Sequence, residues 1–281
     1  MSSSLTSIAQ QITVYIGFPL LISGILGTCL NIIVFSSLRT FQESSCAFYL
    51  TILSFANLME LCVGLISRLF ITGLNIDRTK DSIILCKLRP VFLYLAALLS
   101  SYCLSLATID QYLATSTRIR WQQWCNTKNA HRCVLICVII LVLEQIPSLF
   151  FYQHVTSSTT NQTTCQLNNH DFFLFDRYFT VFTLWYACPL ITTILFASLA
   201  YRNVQSIAHR VNPLVRRELD KQLTVMVLIH ALIYSITIMP NIISSIILVN
   251  DALKLNPVLY SQMVFFNTIS IMSFYFSFSV S

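Results

Sequence analysis

The stretch that decides the fold runs from Cys86 to Tyr112, CKLRPVFLYLAALLSSYCLSLATIDQY. After Arg89 no charged residue appears until the closing triplet Asp110-Gln111-Tyr112. Cys86 and Asp110 are 24 residues apart. At about 1.5 Å per helical residue this spans about 36 Å, enough to cross a tilted hydrocarbon core of about 30 Å. A cysteine therefore stands at one membrane face and an acid-Gln-Tyr triplet at the other.

Composition extends that reading to the whole chain. Of 281 residues, 56% are hydrophobic and 10% charged, with a mean hydropathy of +0.71. A soluble domain carries about 25% charged residues, so this chain cannot clothe a water-facing surface. The net charge of +6 fits the basic loops of a membrane protein, and no nucleic-acid partner is expected. No glycine follows Gly73, which excludes a glycine-lined phosphate cradle in the rest of the chain. The ten cysteines form no CxxC pair. Most lie in apolar runs and read as small hydrophobes, so no metal is expected. Cys86 and Cys165 alone fall where an oxidising exterior would meet them. HExxH and GxSxG are absent and the five histidines are scattered; neither an enzyme nor a cofactor is expected.

Long apolar runs divide the chain into seven segments, about 12–38, 46–73, 83–114, 131–153, 173–202, 219–249 and 256–281. Pro147, Pro189 and Pro240 lie inside the fourth, fifth and sixth, where neighbouring helices re-satisfy the freed carbonyls. Of the seventeen Lys and Arg, ten, from Arg39 to Lys221, fall on one set of loops and six on the other, with Arg68 inside a helix. The ten-residue side is expected to be cytoplasmic and the N-terminus outside. The sequon Asn161-Gln162-Thr163 lies in a loop this orientation places outside, making Asn161 a candidate glycosylation site. The predicted fold is an all-α seven-transmembrane helix bundle in one domain over 1–281, multi-pass in the plasma membrane and in contact with lipid. The chain stops at Ser281, so a C-terminal tail is read as absent or truncated.

The cysteine, the triplet and seven segments in this orientation resemble the rhodopsin-like (class A) G-protein-coupled receptors, in a divergent, peptide-receptor-like form. The resemblance covers all seven segments. It implies a disulfide between Cys86 and Cys165 that ties an outer loop over the ligand cavity. Asn31, in Gly27-Thr-Cys-Leu-Asn31, is similar to the family's helix-one asparagine. Asn57 stands where most members carry a sodium-binding aspartate, and a neutral amide is a poorer ligand. Ser100 and Asn267 or Ser270 would complete an interhelical polar cluster with them. At Asp110-Gln111-Tyr112 the family's central arginine is replaced by Gln111. Asp220, twenty residues before Pro240, matches the helix-six acid that this arginine would pair with. The acids of the switch are thus present and its cation is missing, which weakens the lock. The helix-six aromatic is replaced by Ile238, and the helix-seven Asn-Pro-x-x-Tyr motif is absent.

Intramembrane charges mark functional positions. Glu60 and Arg68 are eight residues apart, on one face of the second helix; Arg68 either contacts ligand or snorkels to the headgroups. Leu93 stands where amine-binding members carry an aspartate, which argues against a biogenic amine. Arg89, Tyr94, Ala97, Tyr178, Trp185, Ile238, Asn241 and Met263 complete an expected ligand-binding pocket, aromatic and weakly cationic, that suits an extracellular peptide. The resemblance then implies signalling through a heterotrimeric G protein. One alternative is a receptor-like protein that binds a ligand or partner receptor without coupling. A more remote alternative is a secondary transporter relaying through Glu60, Arg68 and Glu144, for which the sequence shows no internal repeat.

Overall fold

A computed structural model describes residues 2–156, 163–207, 214–249 and 257–280. Seven long helices account for most of them: helix one (Ser2–Ser37), helix two (Ser45–Gly73), helix three (Ile83–Ala114), helix four (Thr127–Phe151), helix five (His170–Gln205), helix six (Leu214–Val249) and helix seven (Pro257–Ser279). Their starts follow from capping chemistry. Ser44, Ser82, Asn126 and Asn169 accept hydrogen bonds from the backbone N–H groups of Ala47, Leu85, Asn129 and Phe172. Each cap satisfies a donor that has no partner inside its helix. Asn126 and Asn169 therefore start helices four and five earlier than the apolar runs alone indicate.

Helices one to six are each long and apolar enough to cross a membrane. Helix seven is more polar. Its 23 residues include Gln262, Asn267, Thr268 and five serines, though no charged side chain. At about 1.5 Å per residue its length still reaches about 34 Å, and it packs between helices one and six. Helix three is the hub, packed against two, four, five and six. Large apolar side chains such as Ile22, Leu26, Ile140, Leu143, Leu232 and Ile236 point outward. The interior holds hydroxyls and amides, including Asn57, Ser101, Ser105 and Thr193. That inversion is what a hydrocarbon solvent selects.

Helix two contains two π-helical turns, Leu61–Leu65 and Leu69–Gly73, and helix five a longer one, Asp176–Ala187. The helix-five π segment ends two residues before Pro189. Proline has no N–H to donate and its ring crowds the carbonyl four residues back, so the helix widens ahead of it. Outside the bundle, β1 (Tyr152–Thr156) and β2 (Thr163–Leu167) form an antiparallel hairpin with His154 opposite Cys165. Cys165 is disulfide-bonded to Cys86 of helix three, with Cα atoms 5.6 Å apart. A ring nitrogen of His154 bonds the Thr79 carbonyl at 2.8 Å, so the hairpin is pinned at two points. Asn161 lies outside the described residues.

Helices one and seven touch at Gly24, where a Cβ would lie 2.7 Å from Leu61 Cδ1 and 3.1 Å from the Cα of Ser279. At Gly27 an added Cβ meets nothing nearer than the Ser279 carbonyl, at 3.6 Å. Alanine gains up to about 1 kcal/mol over glycine in a helix, and overpacking a tight contact costs about 1–3 kcal/mol. Gly24→Ala is therefore expected to lower the Tm of the detergent-solubilised protein, while Gly27→Ala leaves it unchanged or raises it. Equal shifts at both positions would mean that the two helices have room to separate.

Candidate functional site

A cavity of about 580 Å³ opens between helices two, three, five, six and seven, at the disulfide-bonded end. Helix two contributes Glu60 and Arg68, helix three Arg89, Leu93 and Tyr94, and helix five Arg177, Val181, Trp185 and Tyr186. Asn241 and Ser245 come from helix six, Asn267, Phe274 and Tyr275 from helix seven. The size suits a small ligand or a few residues of a peptide. Tyr152 of β1 lies close to this site, sharing a side-chain hydrogen bond with Tyr94. Burial, then the nearby Asp176 carboxylate, pushes the Tyr152 phenol above its ordinary range.

Gly64 allows helices two and seven to meet in the cavity wall. A Cβ there would lie 2.7 Å from both Glu60 Oε1 and Tyr275 Oη. Tyr94 and Phe274 each present an edge to Trp185, at 5.4 and 5.6 Å between ring centroids, and Tyr186 stacks beside it at 5.4 Å. Arg89 donates from Nε to Ser67 Oγ at 2.8 Å, which fixes its guanidinium, and Arg177 lies over the Phe173 ring at 5.3 Å. Three buried polar atoms of this wall find no hydrogen-bond partner among the described residues: Glu60 Oε2, Arg68 Nε and Trp185 Nε1. Such orphans are uncommon in a folded protein, because each costs its desolvation free energy without return. Among the described residues no group of three or more His, Cys, Asp or Glu is arranged to hold a metal.

The opposite end of helix three carries the triplet. Asp110 accepts from Ser45 Oγ at 2.9 and 2.8 Å, joining helices three and two. The Oε1 of buried Gln111 accepts from Thr224 Oγ1 at 2.7 Å, joining helix three to helix six. Tyr112 packs against Trp121 and Phe196, at 5.7 and 5.5 Å. Asp220 lies on helix six, with its side chain outside the described part.

Of the residues singled out in the sequence, Glu60, Arg68, Arg89, Leu93, Tyr94, Trp185, Asn241 and Asn267 all border the cavity. Four do not. Tyr178 is exposed at 61%, because the helix-five turn carries it outward, Ala97 and Ile238 are buried in the core, and half-buried Met263 lies away from the lining. The expected polar cluster is divided. Ser100 Oγ donates to Asn57 Oδ1, whereas Asn267 accepts from Ser244 of helix six at 3.0 Å. Asn31 is half-buried on helix one, and Pro240 sits within helix six, which stays helical through it. Glu144 is away from the cavity lining, accepting from Gln145 and Thr180. The sequence reading missed Arg177, Tyr186, Tyr275 and Thr224. Helical spacing carried the signal: Tyr275 lies eight residues after Asn267, and Thr224 four after Asp220, each pair on one face.

No match to this chain was found among curated proteins. The family model described as "7 transmembrane receptor (rhodopsin family)" matches residues 27–276, nearly the whole chain. The protein is a multi-pass membrane protein that belongs to the rhodopsin family of seven-transmembrane receptors.

Proposed function

We propose that the chain is a plasma-membrane receptor with its N-terminus outside, binding an extracellular ligand, a peptide by preference, and signalling through a heterotrimeric G protein. The observation that carries this reading is the Gln111–Thr224 hydrogen bond, set at the far end of helix three from the cavity. It ties the base of helix six to helix three without a charged pair. Ligand bound in the cavity then favours a state in which helix six swings outward and the contact opens, a population shift between two arrangements. Basic residues from Arg202, near the end of helix five, to Lys221, in the first turns of helix six, support a partner on that side.

A second reading rests on the same residue. With Gln111 in place of the family's arginine, the protein binds ligand or a partner receptor without activating a G protein.

A neutral hydrogen bond is worth about 1 kcal/mol net, so its loss shifts a two-state balance about fivefold. Thr224→Val is expected to raise basal G-protein activation by about that factor at equal surface expression. A basal signal unmoved by Thr224→Val would show that the contact does not set the equilibrium. Gln111→Arg separates the two readings. A measurable basal signal in the native protein and the arginine variant supports coupling, and a signal in the arginine variant alone supports the silent receptor.

Orientation has its own test. Asn161→Gln should remove a glycosidase-sensitive mobility shift of the protein made in cells that glycosylate. An N-terminal tag that antibody reaches only after permeabilisation would reverse the topology.

A further inference from the structure

We infer that the cavity recognises an anionic group, a carboxylate in the first place, carried by a molecule with an aromatic or apolar portion. This rests on reading the cavity as the ligand site. The lining sets three guanidiniums, Arg68, Arg89 and Arg177, against one carboxylate, Glu60. Among the described residues none of the three is in an ion pair. Asp176, the neighbour of Arg177 in sequence and a charge that acts on it, is buried, has an unpartnered Oδ2 of its own and does not line the cavity. His170, which also borders the cavity, adds no negative charge.

The cationic excess is also preorganised. Ser67 holds Arg89 by its Nε, leaving the terminal NH₂ groups to act as a fork, the geometry that meets both oxygens of a carboxylate. Arg68 Nε is buried and unpartnered, and a ligand oxygen supplies the acceptor it lacks. The walls between helices screen such a contact less than water does.

Glu60 lies two turns deeper than Arg68 on helix two, about 12 Å along the axis. Its charge acts on Arg89 alone of the three guanidiniums, so the other two stay unopposed by it, and a cationic ligand would have to enter past them. Beside the arginines, Tyr94, Trp185, Tyr186 and Phe274 offer ring faces and edges, and the unpartnered Trp185 Nε1 adds a donor. An anion with an aromatic or apolar body satisfies both halves of the wall.

The test uses the full-length protein in nanodiscs and three probes of matched size: indole-3-propionate, its primary amide, and 3-(3-aminopropyl)indole. Binding is read as a concentration-dependent rise in Tm. The acid is expected to bind at least about tenfold more tightly than the amide, and the amine not at all. Arg68→Gln and Arg89→Gln should each weaken the acid by about tenfold or more. Because removing a buried arginine also costs folding stability, Glu60→Gln serves as the second arm. It removes the one lining carboxylate, whose charge opposes Arg89, so it should tighten acid binding, a gain that misfolding cannot produce. Short peptides ending in tryptophan, with free or amidated C-termini, separate the two sources of the carboxylate. Binding by free-acid peptides but not by the small acid assigns it to a peptide terminus, and binding by the small acid assigns it to a free organic acid. Either result sustains the inference. Equal binding of acid and amide, preference for the amine, no binding by any free acid, or no tightening in Glu60→Gln overturns it. The receptor reading would survive all four results, because its own test is the G-protein assay of Thr224→Val and Gln111→Arg.

Discussion

In hydrocarbon, a polar group that finds no partner inside the protein goes without one, and this constraint organises the whole bundle. Hydroxyls that point toward lipid or packed helix donate to the carbonyl one turn back, as Thr13 does to Ala9, Thr28 to Gly24 and Ser198 to Ile194. Several hydroxyls and amides that face inward also bridge helices. Ser100 meets Asn57, Ser105 meets Thr193 and the Pro189 carbonyl, Tyr234 meets Ser101, and Gln111 meets Thr224. All four bridges include a residue of helix three, which explains why that helix is the hub. Apolar packing alone distinguishes poorly between helix and lipid, so these polar contacts fix which faces meet.

Against that background the unpartnered atoms acquire meaning. Glu60 Oε2, Arg68 Nε and Trp185 Nε1 border one cavity, while the rest of the interior is largely satisfied. Gly64 and the π-helical turns of helices two and five gather these groups there. A π turn spends regular helix hydrogen bonding on a change of side-chain direction, and such turns recur at functional sites. Here the wide segment of helix five brings Arg177, Val181, Trp185 and Tyr186 to the cavity while turning Tyr178 outward.

How much of this was legible in the chain depended on periodicity. The apolar segments, the Cys86 to Asp110 spacing and the cation asymmetry outlined the bundle, because span length and hydropathy are local properties of the sequence. The disulfide partner was implied by resemblance rather than by composition. The wall of the cavity was legible where a charged or aromatic residue broke an apolar run, as at Glu60, Arg68, Arg89 and Trp185. It was not legible where a π turn shifts the helical phase, which is why Tyr178 was expected inside and Arg177 was missed. Asn126 and Asn169 gave start signals that an apolar-run reading passes over. Thr224 went unnoticed because the family resemblance directs attention to the acid one turn earlier, at Asp220.

The energetics of the proposed switch follow from these contacts. For helix six to swing away at its base, the Gln111–Thr224 bond must break, and rotation strains Tyr234–Ser101 as well. Two neutral bonds at about 0.5–1.5 kcal/mol each set a resting bias of about 1–3 kcal/mol. That falls in the range of about 1–3 kcal/mol that one ligand typically transmits between sites. A charged latch would hold the resting state more firmly and demand more from the ligand. The neutral latch lowers the demand, and helix six connects the two ends directly, with Thr224 at the latch, Tyr234 midway and Asn241 and Ser245 in the cavity wall. A ligand that draws Asn241 or Ser245 toward the arginines moves the same rigid element that carries Thr224, so both sites act on one two-state body rather than through a chain of small adjustments.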